Sequence, residues 1–269
     1  LIIGLLQIGN LLGLNMFFSE LYSANENQAN AFMKEGVSLR IFGVAGNPIS
    51  WGGFSVFLFY YFLFVERSSK RKIGALLSLI NIFLSVSKAA ILGLISGLLL
   101  FPLVYVIYFK FNLRKLFTIF NRFLVFSVLF ITSIYYLFFQ KFEFLIFRIF
   151  AFINQSESQD VRINQVVDSL DLMFTFPISF VIGFGKPSID KVLEYVELEP
   201  VYILVCYGLV GLLLHYVPLL FLVEKSYKLR KNNRQLAMFV PISIFSYLIF
   251  SIGFYFYREL QVGITFWIV

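Results

Sequence analysis

The sequence predicts an all-α protein, a polytopic bundle of about eight transmembrane helices with one large external loop. Three observations carry this expectation. Of 269 residues, 59% are hydrophobic and only 14% are charged, against roughly 25% charged in an ordinary soluble domain. Mean hydropathy is +0.85, too high for a fold that must face water on all sides. The apolar residues also fall in continuous runs. In Phe57-Leu58-Phe59-Tyr60-Tyr61-Phe62-Leu63-Phe64 no polar residue alternates with an apolar one, which excludes the period-two pattern of a membrane β-barrel.

A helix needs about 20 apolar residues to cross roughly 30 Å of hydrocarbon. Runs near 1–18, 49–65, 73–87, 89–109, 123–139, 200–223 and 236–257 meet or approach that length, and an eighth begins near 261. Each is expected to be a helix, because lipid offers no partner to an unpaired backbone group. The chain opens at Leu1 and closes at Val269 inside apolar runs. That suits a single integral membrane domain over 1–269 that lacks N-terminal spans of a longer protein.

The connectors orient the bundle. Residues 66–72, 110–122 and 224–234 hold 13 of the 22 basic residues and only two acids, Glu66 and Glu224. The excess of Lys and Arg makes these three connectors cytoplasmic, and alternating spans place all three on one side. The remainder carries nine basic and 13 acidic residues. The overall +7 therefore reports topology, and a nucleic-acid partner is not expected. Two loops fall outside, 19–48 and 140–199. The second, about 60 residues long, is the large extracytoplasmic loop, and loops of that length usually carry function.

Several residues could carry chemistry. Arg40 precedes a turn, Gly43-Val44-Ala45-Gly46-Asn47-Pro48, at the start of the second span. It reads either as an anion clamp or as an interfacial arginine meeting lipid phosphates. Ser78, Asn81, Ser85 and Lys88 share one face of the third span, with Lys88 at its outer end. Such a stripe points into the bundle, either for hydrogen bonds between helices or, at Lys88, for a ligand. Ser243, Tyr247, Ser251 and Tyr255 form a similar stripe below Arg258. In the large loop, Asp160–Leu170 has helical character. Ile163, Val166, Leu170 and Phe174 make an apolar face, and Arg162, Gln165 and Ser169 lie on another. Gly183-Phe184-Gly185-Lys186-Pro187 follows, a turn able to offer backbone N–H groups to an anion. The competing reading of this segment is an amphipathic helix on the membrane followed by an ordinary loop.

Glu197 and Glu199 precede the sixth span. Two carboxylates make a poor metal site, so no metal is expected. Cys206 is the only cysteine and His215 the only histidine, which excludes disulfides and multi-His zinc motifs. His215, at mid-span in the cytoplasmic half, is expected to bond a neighbouring helix and not to serve an exterior site.

These signatures, in this order, resemble the O-antigen and capsular polysaccharide polymerases (Wzy type) and the related O-antigen ligases. Arg40-x-x-Gly43-x-x-x-Asn47-Pro48 is similar to the family's Arg…Gly…Asn-Pro turn. Ser87-Lys88-Ala89-Ala90 is similar to its Ser-Arg-Gly hairpin, with Lys88 replacing arginine and losing bidentate geometry. Arg162 with Gly183-Phe184-Gly185 resembles the large-loop arginine and its glycine exit. Glu199-x-x-Tyr202 leading to Tyr207-Gly208 and Gly211 resembles the acid-led start of the next span. The resemblance covers roughly 40–258.

The resemblance implies an enzyme of the bacterial plasma (inner) membrane that works on the extracytoplasmic side. It would polymerise undecaprenyl-pyrophosphate-linked oligosaccharide repeat units into O-antigen or capsule, as part of lipopolysaccharide or polysaccharide biosynthesis. Its partners would be the lipid-linked donor and acceptor, the bilayer and a chain-length regulator protein, with no cofactor. Arg40, Lys88, Arg162 and Arg258 would surround the pyrophosphate. Arg40 and Arg162 would stabilise the leaving group, and Glu199 would act as base, with Asp160 and Asp168 behind it. An O-antigen ligase is the nearer alternative, disfavoured because the large outer loop has no histidine. A transporter or flippase of lipid-linked saccharide is the other, disfavoured because the charges lie at span ends and no inverted repeat is visible. On this reading Arg162→Ala abolishes polymer while leaving expression intact, as immunoblot and polysaccharide gel together report; full-length polysaccharide from the variant contradicts it.

Overall fold

The computed structural model describes residues 2–7, 13–21, 41, 43, 47–109, 132, 156–185, 196 and 198–253, with the backbone alone at 18 and 156–162. The helices in these residues are α1 (Ile2–Leu6), α2 (Leu14–Leu21), α3 (Pro48–Phe64), α4 (Lys70–Leu84), α5 (Lys88–Phe109), α6 (Ser156–Thr175), α7 (Pro177–Ile182), α8 (Glu199–Leu229) and α9 (Arg234–Gly253). No strand occurs among the described residues. Three helices, α5, α8 and α9, are long and apolar enough to cross a membrane.

The expected spans translate unevenly. Those at 89–109 and 236–257 correspond to α5 and α9. Those at 49–65 and 73–87 correspond to α3 and α4, with 17 and 15 residues, about 26 and 22 Å of helix. The expected span at 1–18 is not one helix. α1 ends at Leu6, and Gly13, at φ +66°, stands before α2. The spans at 123–139, apart from Thr132, and beyond 261 lie outside the described residues. The described residues thus support a membrane helix bundle without establishing eight spans.

α3, α4, α5 and α9 form the core bundle, with α8 packed on α9 and α7 packed on α8. Its centre is aliphatic and aromatic: Trp51, Phe57, Phe59, Tyr60, Ile82, Leu94, Ile242 and Phe250 are buried. Small residues bring the backbones together. A Cβ on Gly93 would lie 3.0 Å from the Ser246 carbonyl oxygen, so α5 can approach α9 there only as glycine.

Local chemistry sets the ends of these helices. Asn47 caps α3, accepting from the backbone N–H of Ile49 at 2.8 Å, and Pro48 occupies the first turn where no N–H is needed. The Asn-Pro turn of the sequence is therefore a helix cap. Gly43, at φ +56°, lies against the Trp51 ring, and Gln7 holds it from both sides of its peptide group, donating to the Gly43 carbonyl and accepting from its N–H. Ile41 N–H donates to the Leu84 carbonyl. Ser87 caps α5 by accepting from Ala90 N–H at 3.3 Å, which makes Lys88 the first helical residue.

Two of the basic connectors, 66–72 and 224–234, meet at one end of the bundle. Arg67 in the α3–α4 connector donates to Gln235 at the start of α9 at 2.7 Å. Arg234 lies over the rings of Tyr105 and Phe109 at the end of α5. The exposed Glu66 accepts from Ser68 N–H at 2.8 Å, and this bond with the Ser68 side chain holds its carboxyl below the usual carboxylate range.

α8 is not one straight span. Gly208 sits at φ 65°, ψ −166° and breaks it. The break leaves the Val205 and Cys206 carbonyls without their helical donors, and Phe184 and Gly185 N–H supply them at 2.9 and 2.8 Å. Gly183 and Gly208 sit backbone against backbone at this crossing. A Cβ at Gly208 would lie 2.2 Å from the Val181 carbonyl oxygen, whereas one at Gly185, also at positive φ, would meet nothing within 4 Å. Thermal unfolding in detergent should separate the two. Gly185→Ala carries only the left-handed backbone cost of about 1–2 kcal/mol, and Gly208→Ala adds a backbone clash and loses clearly more. Equal losses would contradict the interlock.

Candidate functional site

A helix carrying both Glu199 and His215 would hold them about 24 Å apart if straight. The break at Gly208 instead folds the first part of α8 back along the second, and the two side chains meet. Glu199 Oε1 lies 3.3 Å from His215 Nε2. Tyr247 of α9 completes the group: its hydroxyl donates to Glu199 Oε1, and it lies 2.7 Å from His215 Nε2. Glu199 is 0% exposed. The Tyr216 ring packs edge-on against His215 with centroids 4.8 Å apart.

The chemistry of this trio is constrained. An ionised carboxylate only accepts, so both neighbours must donate to it. Tyr247 has one proton to give and gives it to Glu199, which leaves Nε2–H of His215 to reach both oxygens. The two neighbours hold the carboxylate in one position, and a general base has to be positioned within hydrogen-bond reach of the proton it takes.

Glu199 opens its helix, as the sequence indicates, and the fold-back carries it inside the bundle. One sequence expectation is corrected. His215 does not lie in the half next to the basic connector. The continuous helix begins again after Gly208, so His215 is seven residues past the break and 14 before Leu229, in the half away from the basic end. Its predicted bond to a neighbouring helix is made, to Tyr247. Sequence reasoning put Tyr247 in a polar stripe and His215 in a packing role, and missed that both serve Glu199. The one available signal was Gly208 between an acid and a histidine in an apolar run.

The remaining candidates divide. Lys88 opens α5, and the neighbouring Ala89 abuts the end of α9, where a Cβ on Gly253 would lie 3.1 Å from the Ala89 Cβ. Lys88 thus starts its helix near the level of Gly253, six residues or about 9 Å along α9 from Tyr247. Arg162 falls within α6, and only its backbone is described. Asp160 is in the same position. Asp168 is exposed on α6. Arg40, Glu197, Tyr255, Arg258 and Lys186 lie outside the described residues.

The apolar face of α6 is turned outward, as the reading of an amphipathic helix on the membrane expects. Ile163 and Phe174 are 58% and 70% exposed, whereas Ser169 and Met173 are fully buried, Met173 against Tyr202, Val205 and Cys206. α8 is itself apolar there and accepts the face that carries Ser169 and Met173, leaving the other apolar face outward. α7 likewise exposes Ile178 and Ile182, as a lipid-facing helix does. The Gly183-Phe184-Gly185 turn is not an anion cradle at Phe184 and Gly185, because both N–H groups are already given to α8. The Ser78, Asn81 and Ser85 stripe is structural. Asn81 accepts from Trp51 Nε1 at 3.0 Å, and both serines donate to carbonyls of their own helix. Among the described residues no three His, Cys, Asp or Glu side chains gather as metal ligands.

Comparison with protein families, curated proteins and solved structures finds no match for this chain.

A double-mutant cycle tests the central contact. Glu199→Leu and His215→Leu should be non-additive in thermal unfolding, with a coupling of about 1 kcal/mol or more. Each single change strands a polar group that the double change removes. Additive losses would mean the two groups do not hold each other.

Proposed function

We propose that this protein is a membrane glycosyltransferase that polymerises oligosaccharide repeat units carried on undecaprenyl pyrophosphate. The acceptor hydroxyl attacks the anomeric carbon of the donor glycan. The new glycosidic C–O bond forms as the bond to the pyrophosphate oxygen breaks, and the lipid pyrophosphate leaves with the bonding pair. Glu199 takes the proton of the acceptor hydroxyl. The observation that supports this reading is the burial of Glu199 between Tyr247 and His215, the carboxylate that the resemblance implies as base.

Other features agree with it. Lys88 is a cation at a helix N-terminus, where the macrodipole already favours an anion. A pyrophosphate there would meet the ammonium group at the positive end of α5, whose Ala90 N–H is already held by Ser87. Arg40, Arg162 and Arg258 remain the proposed arginine partners of the leaving group. The site would face the extracytoplasmic side of the bacterial inner membrane, opposite the basic connectors. The product would be surface polysaccharide, O-antigen or capsule, with a chain-length regulator as a protein partner.

One observation favours a second reading. A helix broken inside the bundle, with a carboxylate and an imidazole at the fold-back, is a common construction of transporters. On that reading the protein is a proton-coupled flippase of lipid-linked saccharide.

The lipid-linked saccharides of a deletion strain, complemented with wild type or Glu199→Gln, distinguish the two. A polymerase variant is expected to lose polymer by about 10²-fold or more and to accumulate single repeat units on the outer face. Accumulation on the cytoplasmic face would support the flippase, and free lipid-linked polymer would support a ligase. Wild-type polymer from Glu199→Gln would overturn the role given to Glu199.

A further inference from the structure

Serine hydroxyls inside an apolar helix ordinarily donate back to a carbonyl one turn earlier. Ser78, Ser96, Ser226 and Ser251 do so, at 2.7–2.9 Å. Ser243 and Ser246, one turn apart on α9, do not. Both are buried, 5% and 3% exposed; the Ser243 hydroxyl has no hydrogen-bond partner among the described residues, and the Ser246 hydroxyl has only the Tyr60 phenol beside it. Both line the same small cavity between α3, α5 and α9, whose walls include Gly53, Gly93, Tyr247 and Phe250.

The cavity has the size of one water molecule. The space open to the centre of a water-sized sphere is ≈ 20 Å³, where about 10–15 Å³ on that measure admits a single water. Two glycines create it: Gly53 and Gly93 bring no side chain to its walls, and Gly93 sets the close approach of α5 to the Ser246 carbonyl. A cavity lined only by apolar groups stays dry, whereas one lined by the hydroxyls of Ser243, Ser246 and Tyr60 satisfies the polar requirement of a bound water.

We propose that Ser243 and Ser246 bind a single structural water inside the helix bundle, against the wall formed by Tyr247. This hydration site lies directly behind the residue whose phenol holds Glu199. It stands whether the protein polymerises saccharide or moves it, because it rests on the cavity and the two hydroxyls alone.

Radiolytic hydroxyl-radical labelling of the full chain in nanodiscs, carried out in ¹⁸O-water and read by mass spectrometry, tests the site. Bound water is a local source of radicals, so Tyr247 and Phe250 should be labelled several-fold faster than Phe59, which is equally buried but does not line the cavity. In Ser243→Ala/Ser246→Ala the labelling of Tyr247 and Phe250 should fall to the level of Phe59. Wild-type labelling no greater than at Phe59 overturns the site without recourse to any variant. Undiminished labelling in the double variant overturns the role of the two hydroxyls.

Discussion

A broken helix inside an apolar bundle must find partners for the carbonyls it exposes, and this requirement organises one side of the molecule. At Gly208 the chain leaves helical geometry, and Val205 and Cys206 turn to Phe184 and Gly185 for donors. No water is at hand in hydrocarbon to do the same work. The exchange fastens α7 and the exit of the large loop to α8. It also turns the first part of α8 back on the second, and only then does Glu199 reach His215. The glycines at 183 and 208 are needed because the two backbones touch.

The buried carboxylate follows from that constraint. An acid inside the bundle is tolerable only when paired and hydrogen-bonded, and the fold-back supplies the imidazole while α9 supplies the phenol. The rest of the bundle is packed to keep this arrangement in register. α9 touches α3, α5 and α8, so the helix that carries Tyr247 is clamped on several sides. The same helix places Ser243 and Ser246 on a small cavity, while Ser251 is satisfied within the helix. α9 therefore contributes structure at some polar positions and chemistry at others.

Much of this was legible in the residues, and the reasons for the rest are physical. Length and hydropathy located α5 and α9, because a membrane span needs little more than a run of apolar residues. The Asn47-Pro48 signal located the start of α3, because both residues act within one turn. The run at 200–223 looked continuous, because Gly208 is one residue among many apolar ones and helices in membranes often contain glycine. Its break depends on Gly183, some 25 residues away, which no local pattern encodes. Which face of α6 is buried was left open for a related reason. Periodicity finds an apolar stripe but not which side meets protein and which meets lipid, and in a membrane both can be apolar. Glu199 was recognisable as a candidate acid, whereas its partners His215 and Tyr247 became visible only once the fold-back brought three segments together.

The central claim is that α8 reverses at Gly208. With Cys206 replaced by serine, cysteines placed at 199 and 215 should be joined within one chain by a short bifunctional thiol reagent and found together in one cross-linked peptide pair. A straight helix would keep them about 24 Å apart, beyond the reach of such a reagent. Efficient cross-linking is the expected result, and its absence, with both cysteines shown to react singly, would contradict the account.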